Sequence, residues 1–523
     1  MALNPWPFLF AFAAGLALGF GVGRLAVALR RPGRRPEARL LLLALLAFAL
    51  RVGGLTAQSL WRDEVDALRF GRDLSTEVAA AFREGSAQGW SRLAARLTQP
   101  GFNGPLYFLG LFQWVRVAGD SEFALRFPSA WLGTLAVPLG VALFRRFLPA
   151  GAARLVGVFL AAAPFLVWYG QEAKMYALLV FLFLAAWGAA ERARRDPAGW
   201  MELVLWAAMG LYSHVLFVLF LPPLLALAGR KGLGRVGGLL WVAGVLGLAL
   251  AFPLWRWQVG QVLRWEGGPR LACGETGFPR VAPRNSLAML GWGFAVGVWG
   301  GFPAWGPIPL AALMALGAAL GRAGIRWRWL GWALGPWALL AALSLCRPLF
   351  VERYLIAAAP AWFALAAMGW ARLPGRWLRI LALAAVLGPM AAGLGVQAMV
   401  PLKSDFRAAA QMVARAYRPD ELILFHIGYV QYVFDYYFRK PYAGTWAPAT
   451  NVDPDGTPVD MAWVDAQMRA LVRGYRAVWL VYSEAAMWDA RDLVRQWLDA
   501  HGRLVERHGF VLVEVRRYEG LPP

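Results

Sequence analysis

Residues 354–398 read YLIAAAPAWFALAAMGWARLPGRWLRILALAAVLGPMAAGLGVQA. Two apolar runs, 354–370 and 376–398, flank a turn that carries Arg372, Arg376 and Arg379. Each run is near the ~20 residues that a helix needs to cross the roughly 30 Å hydrocarbon layer of a bilayer. The pair therefore reads as a membrane-spanning helical hairpin closed by a basic loop. The pattern recurs at 7–29, 39–58, 123–145, 153–170, 174–191, 199–213, 214–228, 235–254, 304–320 and 328–346, which makes twelve expected spans. The expected fold class is an all-α polytopic membrane protein.

Composition agrees. Of 523 residues 59% are hydrophobic and only 16% charged, with 28 Trp and 31 Phe. A soluble domain usually has about 25% charged residues, so disorder is excluded and an ordinary soluble enzyme is not expected. The net charge of +22 would point to nucleic acid in a soluble protein, but here much of it falls in short connections between apolar runs, so no nucleic-acid partner is expected. Only Lys174, Lys231, Lys403 and Lys440 are lysines, and a single Arg carries little weight in so Arg-rich a chain. Cys273 and Cys346 permit neither a disulfide framework nor a four-cysteine metal site.

Six alternate connections hold basic clusters, at 30–39, 145–154, 192–195, 230–235, 322–328 and 372–379. Lys and Arg mark cytoplasmic loops. The N-terminus is then expected outside, and a cleaved signal peptide is not, because no basic residue precedes the first apolar run. Residues 59–122, 255–303 and everything after about 400 also fall outside. Residues 104–118 (GPLYFLGLFQWVRVA) are nearly apolar enough to span, but counting them would reverse the charge pattern of every later loop. They read as an interfacial helix, and 76–98 as either a second one or a solvated loop helix. After Val400 strand-like ELILF, AVWLVYS and FVLVEVRRY alternate with helix-like segments, including 489–507, which gives a small outer α/β domain. The expected division is a transmembrane module over 1–399 and this domain over 400–523. No glycine-rich phosphate loop opens any of its helices.

The chemistry-bearing residues cluster at span ends. Asp63, Glu64 and Asp66 follow the second span directly; they suit a general base or hard oxygen ligands for a divalent cation, or simple pairing with Arg62, Arg69 and Arg72. Glu172 and Lys174, in WYGQEAKMY, sit at the mouth of an apolar hairpin, where ionisable groups are functional by default unless they pair locally and snorkel. His214 marks the next outer hairpin, as a functional or a structural hydrogen-bonding residue. Arg347 and Arg353, in RPLFVERY, offer two guanidiniums able to clamp a phosphate, or to anchor the chain at the interface.

Five motifs occur in order: WRDEVDALRFGRDL; GPLYFLGLFQW with GDSEFALRFPSAWLG; APFLVWYGQEAKMYAL; LYSHVLF; and RPLFVERYLIAAAP. Together, over about residues 40–420, they resemble bacterial GT-C integral-membrane glycosyltransferases of the protein-mannosyltransferase-like type, the dolichyl-phosphate-mannose glycosyltransferase group. The resemblance implies a multi-pass enzyme of the bacterial inner membrane, acting on cell-envelope material at its extracytoplasmic face. It would pass a sugar from a polyprenyl-phosphate carrier to a lipid, glycan or protein acceptor, with inversion. The acidic pair Asp63 and Glu64 would be catalytic, with Asp63 as base, and Glu172 a further acidic group. Lys174, Tyr176, His214, Arg347, Arg353 and Tyr354 would bind substrate, the cations among them meeting the carrier phosphate. Asp63, Glu64 and Glu172 would be the ligands of any Mg²⁺ or Mn²⁺. Two features depart from the family: Lys174 stands where Arg is common, and a span at 7–29 precedes the usual first helix. A lipid-linked glycan flippase, with the same charges lining a path, and an outer-face scaffold built on the C-terminal domain are the competing readings.

Overall fold

The protein is described by a computed structural model that covers residues 36–97, 104–229, 281–346, 348–453 and 457–522. The expected spans at 7–29 and 235–254, the second outer segment up to residue 280, Arg347 and Cys273 lie outside the described residues. The chain divides into two compact units. One holds the described residues up to Leu55 together with Ala67–Met399, the other Thr56–Asp66 together with Val400–Pro523. A division at residue 400 leaves Thr56–Asp66 with the membrane module, whereas this segment groups with the C-terminal part of the chain.

The first unit is helical. Glu122–Phe144, Tyr176–Ala193, Glu352–Arg372 and Arg376–Met399 are long and apolar enough to cross a bilayer. A fifth crossing forms if Ala150–Ala162 and Pro164–Gly170, bent by 51°, are one span. Twelve spans are not reached among the described residues. Pro36–Val52, Ala198–Ser213 and Ile308–Leu320, at 17, 16 and 13 residues, stop short of the ~20 that a perpendicular crossing needs. The helix expected near 104–118 is Pro105–Ala118, of 14 residues. The stretch 76–98 is not one helix: Arg62–Glu84 and Ala87–Leu97 part at Gly85, whose φ of 59° lies in the left-handed region, where glycine alone is unstrained.

The bend inside 153–170 has a chemical cause. Proline disfavours α backbone in the residue before it, and Ala163 is extended at φ −61°, ψ 120°. Pro164 also has no N–H for the carbonyl of Leu160, four residues earlier. Arg51 supplies the missing donors. Its buried guanidinium reaches Leu160 O at 2.9 Å and Ala161 O at 3.0 Å. The break is thus held by the last turn of Pro36–Val52, and Gln171 ties the following loop to the same place through Leu50 O, Arg51 O and Gly53 O at 3.0 to 3.2 Å.

Helices Ile308–Leu320 and Ala359–Arg372 pack backbone to backbone. A Cβ at Gly317 would overlap Leu365 O and one at Gly369 would overlap Leu313 O, the small-residue contact that lets helices approach closely in a membrane. Gly369→Leu should cost about 1–3 kcal/mol or more through overpacking. The expected result is a lower unfolding temperature or lost monodispersity of the detergent-solubilised protein.

The second unit carries a five-stranded sheet, β1 (Glu421–Phe425), β2 (Ala443–Trp446), β3 (Ala477–Tyr482), β4 (Arg503–Phe510) and β5 (Val513–Glu519), in the order β2-β1-β3-β5-β4. The first three are parallel to one another, and β5 runs antiparallel to β3 and β4. β1 and β3 are buried almost throughout, as expected of strands covered on both faces. One face packs on Val464, Met468 and Val472 of helix Met461–Val472 and on Val494, Trp497 and Leu498 of helix Leu493–His501.

Two expectations change here. The helix expected over 489–507 ends at His501, and Arg503–Phe510 is an edge strand whose charges pair across to β5, as in Arg507–Glu514 at 3.0 Å. FVLVEVRRY is not one strand, because the chain turns at Leu512, φ 55°. Thr56–Asp66 joins this unit through Gln58, which donates to Val400 O and accepts from the Leu402 N–H, both at 2.8 Å. The Leu60 N–H donates to the Tyr437 hydroxyl at 2.7 Å.

Candidate functional site

The acidic pair opens helix Arg62–Glu84, in its first turn, where the partial positive charge of the helix end favours carboxylates. The two side chains have different surroundings. Glu64 is fully buried and ion-paired with Lys403 Nζ at 3.2 Å. Asp63 keeps 17% of its side chain exposed and accepts from Arg62 at 3.1 Å. Arg62 also lies 3.8 Å from Asp66 and stacks over the Tyr429 ring at 4.2 Å. Burial and the hydrogen bond to Glu484 push the Tyr429 phenol up to about 12, so it stays a neutral donor. A helix end, a lysine and an arginine already balance the pair. Of the two, Asp63 is the carboxylate that a hydroxyl can reach from solvent, and Glu64 is the anchored one.

That balance bears on a metal. A cation held by Asp63 and Glu64 would have to compete with Lys403 and Arg62 for the same oxygens, so the pair is a poor fit for Mg²⁺ or Mn²⁺, and no step below passes through one.

Lys403 was not legible as a site residue, although its type is a signal: only four lysines occur among 53 basic residues, and Lys403 and Lys174 are both buried. Lys403→Met should destabilise the protein by about 3–5 kcal/mol, because it strands a buried charge. Combining it with Glu64→Gln should recover much of that loss in thermal unfolding.

The other described candidates belong to the first unit. Helix Tyr176–Ala193 begins at Tyr176, whose hydroxyl accepts from Arg353 Nε at 2.9 Å. The Arg353 guanidinium lies 5.9 Å from the rings of both Tyr176 and Tyr354. His214 completes the group, its ring 5.0 Å from Tyr354 and 6.4 Å from Tyr176. Its Nδ1 accepts from the Leu216 N–H at 3.1 Å, which places the proton of a neutral imidazole on Nε2, a buried atom with no hydrogen-bond partner among the described residues. An N–H left so inside a protein costs about 1–3 kcal/mol unless a ligand accepts from it.

The turn before Tyr176 is fixed from both sides. The Lys174 N–H donates to Glu172 O at 2.8 Å. Ser129 Oγ donates to Lys174 O at 2.9 Å and itself meets the Tyr107 hydroxyl at 2.8 Å. Lys174 Nζ lies 5.5 Å from the Phe108 ring. Glu172 is buried two residues before Lys174. A guanidinium, an imidazole and two phenols thus meet at the start of helix Tyr176–Ala193.

Comparison with known proteins supports the resemblance read from the motifs. The profile of the dolichyl-phosphate-mannose-protein mannosyltransferase family matches residues 104–257. No curated protein matches the chain in sequence. Among solved structures, ArnT from Cupriavidus metallidurans in the apo state is similar at a TM-score of 0.56 and 15% identity, over 91% of this chain and 97% of that one. The same protein bound to undecaprenyl phosphate is similar at 0.52 and 14%, over 92% and 97%. The oligosaccharyltransferase of Archaeoglobus fulgidus in complex with Zn and sulfate is similar at 0.53 and 12%, over 92% and 73%. At these identities the likeness is one of fold. The chain is a multi-pass membrane protein that shares the fold of these solved structures, and the family profile matches it over residues 104–257.

Proposed function

We propose that the protein transfers a sugar from a polyprenyl-phosphate carrier to an acceptor hydroxyl, with inversion at the anomeric carbon and on the extracytoplasmic side of the bacterial inner membrane. The observation that carries this reading is the group of Tyr176 and His214, both buried, with the half-buried Arg353 and Tyr354, close in sequence to the Glu172–Lys174 turn. Transfer by displacement needs an acceptor hydroxyl that loses its proton and a phosphate that leaves with growing negative charge. Asp63, partly exposed and held by Arg62, takes the proton. Arg353, Lys174 and the His214 Nε2–H, with Arg347 as a further cation, stabilise the leaving phosphate, and Tyr176 and Tyr354 flank the guanidinium. Glu64, through Lys403, fixes the first turn of the helix that presents Asp63. Glu172 acts as the second acidic group.

The test is incubation of the purified protein with radiolabelled polyprenyl-phosphate sugars and a membrane extract. A labelled acceptor product that depends on Asp63 supports transfer. Labelled lipid that crosses a vesicle bilayer with no product would favour the flippase reading.

A further inference from the structure

The sheet of the second unit has a place where strand order reverses. From β1 the chain moves to β2 on one side, then crosses to β3 on the other. The loops that leave β1 and β3 therefore part from one another, and open α/β sheets bind ligands in the crevice this creates beyond the carboxyl ends of the strands. His426 follows β1 directly, its N–H donating to Val481 O at 3.0 Å. The chain after β3 returns Asp489 and Asp492 to the same place. One ligand atom from each of these three residues lies within 4.8 Å of the others.

We infer that this crevice binds one first-row divalent cation, best matched by Zn²⁺, through His426, Asp489 and Asp492. His426 Nε2 and Asp489 Oδ2 are 3.2 Å apart, close to the ~3.3 Å edge of a tetrahedron with bonds of about 2.0 Å. Asp489 is oriented by the N–H groups of Leu493 and Val494, at 2.9 and 3.2 Å, the kind of outer hydrogen bonding that fixes a ligating carboxylate.

Capping of helix Leu493–His501 accounts for Asp489 but not for His426. That imidazole is fully buried with its Nε2 turned to Asp489, and helix capping does not require an imidazole there.

The competing charge is Arg495, which pairs with Asp492, while Tyr482 donates to Asp492 at 3.0 Å. Arg495 has a second partner, Asp499, at 3.2 Å, so Asp492 can turn to a cation without leaving the guanidinium alone. One nitrogen and two carboxylates suit zinc and its neighbours better than calcium or magnesium, and three protein ligands leave a position open to water or an anionic group. The inference stands apart from sugar transfer.

The experiment strips the full-length detergent-solubilised protein with a chelating resin, adds ZnCl₂ or CoCl₂, and reads bound metal by elemental analysis and cobalt absorption. Wild type should retain one equivalent per chain. His501 and His508 also sit near carboxylates, at 3.6 and 3.5 Å, but are partly exposed, so His501→Gln and His508→Gln should keep that equivalent. His426→Gln and Asp492→Asn should weaken binding by more than about 100-fold, beyond the usual effect of an outer-shell change. If His426→Gln does not fold, Asp492→Asn decides, since its side chain is only half-buried. No bound metal in wild type, an unchanged equivalent in Asp492→Asn, or its loss in His501→Gln or His508→Gln would each overturn the inference.

Discussion

Asp63→Asn is expected to lower the rate of sugar transfer by about 10² to 10⁴ while leaving affinity for the polyprenyl-phosphate donor nearly unchanged. The range is that of general-base catalysis. Asn keeps the size of Asp63 and can still accept the hydrogen bond from Arg62, held at 3.1 Å, but it cannot take a proton from a hydroxyl. Glu64→Gln should act differently. It removes the buried partner of Lys403, so its effect should appear first in thermal unfolding and only then in turnover. Single-turnover rates set against donor binding separate the two. If Asp63→Asn retains wild-type turnover, Asp63 is not the base; if it loses donor binding instead, Asp63 organises the phosphate.

What the sequence disclosed and what it withheld follow from how local each signal is. Apolar length is local, so Glu122–Phe144 and Arg376–Met399 were readable within a few residues. Proline at a fixed offset is local too, yet its result at Pro164, a bend held by Arg51 from 110 residues away in the chain, was not, because the donor that rescues a carbonyl is chosen by packing. The same holds for strands. β1 and β3 are continuous apolar runs and stood out. β2 is AGTW, four residues long, and β4 is charged at Arg503, Glu506 and Arg507, so neither shows a two-residue period and both exist because a neighbouring strand offers hydrogen bonds.

The site divides likewise. Asp63, Glu64, Glu172, Lys174 and His214 were singled out because ionisable groups at span ends are costly to keep. That Glu64 and Asp63 differ in burial, and that Lys403 is the reason, depends on a contact across 339 positions. Sequence could name the pair and offer Asp63 as base, but it could not show Glu64 as the anchored member.

Arg353→Ala is expected to cost about 3–4 kcal/mol of transition-state stabilisation, the usual worth of one preorganised donor to a developing anion, which is a fall of roughly 10² to 10³ in kcat/KM. Because the donor carries phosphate in the ground state as well, part of the loss should appear as a raised KM for the polyprenyl-phosphate sugar and part as a lowered kcat. The structure sets a control. Arg353 Nε donates to the Tyr176 hydroxyl at 2.9 Å, which fixes the orientation of the guanidinium. Tyr176→Phe removes that anchor but no charge, so it should lower kcat/KM by a smaller factor than Arg353→Ala and add little to it in the double variant. Arg353→Lys keeps the charge but loses the paired geometry, and should recover donor KM more than kcat. Equal recovery of both would mean that Arg353 acts as a point charge alone, and full activity in Arg353→Ala would remove it from the phosphate site.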